Sequence, residues 1–306
     1  MRNAFAAAVT ELGEIHPELV MLAGDIGNRL FDSFKDRHPT RFYNCGVAEA
    51  NMTGVAAGLA ASGLRPITYT ITPFNTVRCL EQIRLDVCYP DLPVIIVGTG
   101  AGLSYAGLGA THHSMEDIAI LRTLPNMHVV CPADPLEVKL ALKDALRLGR
   151  PTYIRLGKKG EPAIHQTPPP FTIGRGITVR DGEDVVILSV GNMLETALQC
   201  ATELQQKGIS TQVVSMHNVK PLDDALLSAA FAGKKLVTVM EEHSLTAGAG
   251  SAVLEWGNAK RADLRKLLCI GGPDRFLSSC GGQRQARALL GLTAADIVPQ
   301  MLSRLD

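Results

Sequence analysis

Short runs of aliphatic and β-branched residues alternate with helix-patterned segments along this chain, and the alternation starts afresh after a break. That pattern commits a chain to α/β architecture, because parallel strands need long crossovers and helices are the usual ones. Residues 19–23 (LVMLA) read as a strand, followed by a Gly/Asp/Asn turn over 24–28. Residues 93–98 (PVIIVG) form a continuous apolar run, as expected of a strand buried on both faces. Residues 126–132 and 151–155 predict further strands. Helices are predicted over 49–62, 75–87 and 135–148, and a short one over 115–121. Residues 157–171 (GKKGEPAIHQTPPPF) carry clustered Gly, Lys and Pro and read as a linker. Beyond it, 184–190, 211–216 and 235–241 read as strands, and 194–207 and 250–258 as helices.

The 306 residues suffice for two domains, and 46% hydrophobic with 20% charged residues is a globular composition. Lys+Arg and Asp+Glu are both 30, which gives no support to a nucleic-acid or anionic-membrane partner. Seven cysteines without a CxxC pair, mostly in apolar surroundings, read as reduced thiols of a cytoplasmic protein. The first eighteen residues read as an amphipathic helix rather than a signal peptide, and no apolar run reaches the length of a membrane span.

Four sets of residues could carry chemistry. Glu49 stands where a loop meets a helix of small residues. Enclosure by Ala, Gly, Val and Met would favour its neutral form; equally, it is where a glutamate offsets a helix dipole. The segment GTGAGLSYAGLGATHHSME is glycine-rich, so its backbone can approach a ligand closely. It carries His112 and His113, either of which could donate to a substrate oxygen or be held by backbone. Zinc-like spacing is lacking. Arg2, Arg29, Arg78 and Arg155 are scattered and individually read as surface residues, except that Arg155 ends a predicted strand, where α/β sheets bind ligands. Tyr69 and Phe74 lie in TYTITPFNTVR, read as a loop that could supply a stacking wall or pack in the core.

Taken in order, these segments resemble the transketolase family. NCGVAEANMTGVAAGLAASG is similar to the family's glutamate segment, and PFNTVRCLEQIRLDV to the aromatic wall around the cofactor's aminopyrimidine. GATHHSMEDIAILRTLPNMHVVCPADPLEV is similar to the stretch bearing the substrate histidine. NVKPLD, VMEEHSLTAGAGSAV and GLTAADIV resemble the carboxyl-terminal domain. The resemblance implies a pyrimidine-binding domain over 1–156, the linker over 157–171 and a transketolase C-terminal domain over 172–306, each with a mainly parallel sheet flanked by helices. The Gly-Asp-Gly and downstream Asn that the family uses for diphosphate and Mg²⁺ do not occur here. A separate amino-terminal subunit is therefore implied, in an α₂β₂ heterotetramer. It would hold most of the thiamine diphosphate and the Mg²⁺, and no residue of this chain is assigned to the metal.

Residue by residue, Glu49 matches the glutamate that hydrogen-bonds N1′ of the aminopyrimidine. Phe74 matches a ring stacked on it, Ile71 another wall position, and Asp25 an acidic residue near the thiazole; Arg78 joins this set. His112 matches the histidine on the donor sugar's oxygens, and His113 stands where glutamine is common. Arg2 and Arg155 match arginines that hold the acceptor's terminal phosphate, and Arg29 falls where a serine assists them. Gly107, Leu108 and Gly109 replace a usual Glu-Asp-Gly, and Gly100 replaces a histidine. The implied activity is transfer of a two-carbon ketol unit from a ketose, ending in phosphate or sulfonate, to an aldehyde. The competing readings are an acyl-transferring subunit, like the β chain of 2-oxo acid dehydrogenases or a deoxyxylulose-phosphate-synthase relative, and a non-catalytic scaffold.

Overall fold

The computed structural model describes residues 1–27, 29–158, 160–278 and 281–305. Asn28 of the first turn, Lys159 of the linker, Ser279, Cys280 and the terminal Asp306 lie outside these. Among the described residues twelve strands make two sheets. The strands are β1 (Leu19–Ala23), β2 (Phe42–Asn44), β3 (Arg65–Ile71), β4 (Ile95–Thr99), β5 (His128–Val130) and β6 (Thr152–Leu156). They continue with β7 (Ile177–Arg180), β8 (Val185–Ser189), β9 (Thr211–Ser215), β10 (Asn218–Lys220), β11 (Leu236–Ser244) and β12 (Leu267–Gly272). The larger sheet has the order β10-β5-β6-β4-β3-β1-β2, the smaller β12-β11-β8-β9-β7. Both are parallel except at one edge each, where β10 and β7 run antiparallel. The fold is therefore α/β, with two mostly parallel sheets flanked by helices.

Apolar runs become fully buried strands: every residue of β1, β4, β6 and β8 is buried, as helices on both faces require. The helix Pro135–Leu148 begins on Asp134, whose side chain accepts from the Glu137 amide, and ends on left-handed Gly149. One apolar cluster runs from Leu22 and Met52 through Val129 and Val219 to Val186 and Val239, so the two sheets share a core. Among the described residues six cysteines are free thiols, four of them buried. No described helix is long and apolar enough to cross a membrane.

Two expectations need correction. The segment holding Tyr69 is no loop: β3 passes through the middle of the larger sheet, and the Tyr69 ring is buried and stacked on Phe5 at 5.5 Å. The helix expected over 75–87 is broken into a turn of α-helix at Thr72–Asn75, 3₁₀ at Val77–Cys79, α at Leu80–Gln82 and π at Ile83–Cys88. Side-chain bonds to backbone carbonyls compete with its ladder. Asn75 donates from Nδ2 to the Val97 carbonyl at 3.0 Å, and Thr76 donates to the Thr72 carbonyl at 2.7 Å. Thr76 and Cys79 consequently leave helical geometry.

Candidate active site

Parallel strands deliver their carboxyl ends to one edge of a sheet, and the loops there form the natural ligand site. Ala23 stands beside Tyr69, Ile71 beside Thr99, and Thr99 beside Leu156. The loops after β1, β3, β4 and β6 thus gather Asp25, Phe74, Arg78, His112, His113 and Lys158 at this edge.

Glu49 opens the helix Glu49–Ala61 and is 2% exposed. Gly24 lets the end of β1 pass close to it, since a Cβ there would stand 3.1 Å from Glu49 Cγ and 3.0 Å from Thr70 Cβ. Oε2 of Glu49 accepts from Arg78 at 2.7 Å. Among the described residues Oε1 takes no donor. The apolar enclosure read from the sequence is therefore only part of its surroundings, because a guanidinium closes one side. Arg78 also lies over the Phe74 ring, with 4.3 Å from guanidinium carbon to ring centre. Phe74 meets the His112 ring edge-on at 5.2 Å, and His112 meets Tyr105 at 6.0 Å. Glu49, Arg78, Phe74, His112 and Tyr105 form one connected line.

His112 Nδ1 pairs with Thr111 Oγ1 at 2.9 Å, and Nε2 takes no partner among the described residues. Burial, and then the charge of His113, push its pKa below the ordinary histidine value. His113 is buried, and its Nε2 bonds the Ala106 carbonyl at 3.0 Å, so it acts inside the loop. Ile71 is buried at the end of β3. Asp25 is exposed in left-handed backbone at φ 53° and is fixed by Asn44, which accepts from its amide at 3.2 Å and donates to Oδ1 at 3.0 Å. A cleft of about 460 Å³ runs from Phe74 and Arg78 past His113 and Met115 to Arg275 and Phe276.

The three arginines expected to converge do not. Arg155 is 3% exposed, and its Nε and Nη2 donate to Asp117 at 2.7 and 3.1 Å. Nη2 also reaches the carbonyls of Ser114 and Glu242 at 3.0 Å. Burial opposes the charge of Asp117, but Arg155 outweighs it and holds that carboxyl below its usual range. Arg155 is thus spent inside the chain; an inward-facing residue of β6 has no route to a phosphate. Arg2 lies at the start of the helix Arg2–Ile15, its buried Nε without a partner among the described residues. Arg29 is exposed on a separate groove with Asn3 and Arg37.

Reading by motif missed Lys158, which was assigned to the linker. Its Nζ lies over the Tyr105 ring at 4.4 Å, beside the His112 loop. The signal was its place two residues beyond β6, at the binding edge. The structure also explains Gly100. It has φ +83°, and a Cβ there would fall 2.0 Å from the Tyr105 ring, which fills the space a larger residue would take. Leu108 is exposed on the loop's short 3₁₀ turn.

Residues 1–161 match the family description "Transketolase, pyrimidine binding domain", and 174–297 match "Transketolase, C-terminal domain". The chain belongs to the transketolase family. A transketolase relative, the 6-deoxy-6-sulfo-D-fructose transketolase subunit SqwH of Clostridium sp. (strain MSTE9), is 36% identical over 301 residues, covering 97% of this chain and 92% of that one. The 1-deoxy-D-xylulose-5-phosphate synthase of Magnetococcus marinus is 38% identical over 300 residues, or 96% of this chain and 47% of that enzyme. Among solved structures, a split gene transketolase described as an inactive beta4 tetramer superposes with TM-score 0.91 at 38% identity, covering 99% of this chain and 97% of that one. The transketolase fold therefore extends over both halves of the chain.

Proposed function

We propose that this chain is the carboxyl-terminal subunit of a split, thiamine-diphosphate-dependent transketolase, active with a separate amino-terminal subunit that holds the diphosphate and Mg²⁺. The observation that carries the reading is the Glu49 carboxyl, buried at the binding edge of the sheet with Oε1 free of chain donors. An aminopyrimidine needs a carboxyl opposite a ring nitrogen and an apolar face beside it, and Glu49 with Phe74 and Ile71 supplies both. When bound, the cofactor supplies the nucleophilic carbon and the electron sink for cleaving a carbon–carbon bond.

This chain's residues do the rest. Glu49 presents Oε1 to a ring nitrogen of the pyrimidine. Arg78 and Asp25 fix the surrounding charge. His112, kept neutral by burial, presents Nε2 to a ketose oxygen. Lys158, over the Tyr105 ring, supplies positive charge for a terminal phosphate or sulfonate. Exposed Leu108 offers no polar atom to sugar hydroxyls, which favours a ketose other than the common pentose phosphates. The sulfosugar relative supports the same class.

The purified chain, mixed with a subunit carrying the Gly-Asp-Gly segment, thiamine diphosphate and Mg²⁺, is expected to transfer a two-carbon unit between sugars. The synthase relative makes the 2-oxo acid reaction the rival outcome. Release of CO₂ from pyruvate without ketol transfer would replace this reading.

A further inference from the structure

The loop that carries His112 and His113 is held at both ends by the other half of the chain. Its base is pinched where the Ser114 amide donates to the Gly102 carbonyl at 2.9 Å. On one side of the pinch the Leu103 amide donates to Glu242 Oε1 at 2.7 Å. On the other, the Ser244 amide donates to the Met115 carbonyl at 2.8 Å. Arg155 joins the two sides, donating to the carbonyls of both Ser114 and Glu242. Glu242 and Ser244 both belong to β11 of the smaller sheet.

Glu242 is fully buried, 139 residues from Leu103. A buried carboxylate costs stability unless donors surround it. Here Gln283 donates from Nε2 to both oxygens, at 2.9 and 3.1 Å, and Arg287 pairs with Oε2. Gln283 also reaches Ser104 Oγ of the loop at 3.3 Å. Gly102 leaves no slack. It sits at φ +59°, and a Cβ there would lie 2.3 Å from Glu242 Oε1 and 2.8 Å from the Glu242 carbonyl. The carboxylate is therefore fitted against loop backbone. A charge held merely for stability needs neither that close approach nor a loop amide as its shortest neutral donor among the described residues.

We infer that Glu242, backed by Gln283 and Arg287, is a positioning residue: it sets the place of the His112 loop from the opposite domain and so governs donor-sugar binding. The kinetic part of this inference rests on the transketolase reading; the structural part does not. Glu242→Ala removes the acceptor. Gln283→Ala, at a partly exposed site, loosens it in a chain that still folds. Hydrogen–deuterium exchange of the full-length chain should show peptides within 101–114 exchanging about tenfold faster in both variants, with β1, β3 and β4 unchanged. In the reconstituted pair, KM for the donor ketose should rise about tenfold while kcat changes less than threefold. Loop exchange at the wild-type rate in Gln283→Ala overturns the inference, as does a fall in kcat with KM unchanged. Should wild-type pairs show no ketol transfer, the proposed activity fails, and the exchange data still decide whether Glu242 holds the loop.

Discussion

The Arg78 guanidinium meets the Glu49 carboxylate at 2.7 Å, yet the two side chains differ sharply in their access to water, Arg78 at 43% and Glu49 at 2%. The arginine borders solvent, whereas the glutamate is enclosed by the chain. A ligand arriving at Phe74 would thus find the carboxylate enclosed and the guanidinium at the solvent edge. Glu49→Gln keeps the volume and removes the carboxylate. The variant should fold, and the reconstituted pair should lose about 10²- to 10⁴-fold in kcat. Steady-state ketol transfer beside a thermal melt checks this, and undiminished turnover would return the scaffold reading.

Arg155 and Asp117 form an ion pair closed to water. Removing one member of such a pair costs about 3–5 kcal/mol, because the other is left buried and unpaired. Arg155→Met should cost that much in urea denaturation. The double variant Arg155→Met/Asp117→Leu should recover part of it. Recovery stays incomplete because Tyr153, which donates to Asp117 Oδ2 at 2.6 Å, then lacks its acceptor.

His112 has its pKa lowered by burial and by His113. Its ring therefore stays neutral through neutral pH and protonates only below the ordinary value of about 6.5. The rate profile of kcat/KM should fall on the acid side with an apparent pKa below that value. His112→Asn should remove this limb while leaving the alkaline side in place. An acid limb that survives the substitution would assign the titration to another group.

The linker is clasped to the larger domain by His165, whose Nε2 meets Glu137 Oε1 at 2.9 Å. The amides of Ile164 and His165 donate to Asp134 Oδ2 at 3.0 and 2.9 Å. The hydrogen bond to Glu137 raises the His165 pKa above its unfolded value. The clasp is therefore fully present below about pH 6.5 and is lost as pH rises through the raised folded value. Exchange of the 164 and 165 amides, corrected for intrinsic rate, should quicken between pH 6 and 8.5, and His165→Ala should abolish that dependence.

Strands buried on both faces left clear marks in the sequence: LVMLA became β1 with no change of boundary. The helix after Asp134 was equally legible, because Asp, Pro and Gly punctuate it. β3 was missed because its Thr and Tyr residues look polar alone, although the sheet buries Thr68, Tyr69 and Thr70 completely. Motif order pointed to Glu49, Phe74 and His112 as one site, and they lie within one line of contacts. Arg155 failed for a reason no linear pattern carries. Strand alternation turned Arg155 inward to Asp117, 38 residues earlier in the chain, and left the cation of that loop to Lys158. Glu242 was invisible as a functional residue because its partners lie in the other half of the chain.

β10 leaves the second half of the chain to lie antiparallel against β5 of the first. The halves are laced together rather than strung like beads. A protease nick between residues 157 and 171 would consequently yield two fragments that travel as a single particle on gel filtration, parting only in denaturant. Expressing either fragment by itself would bare a ribbon edge eager for any other chain.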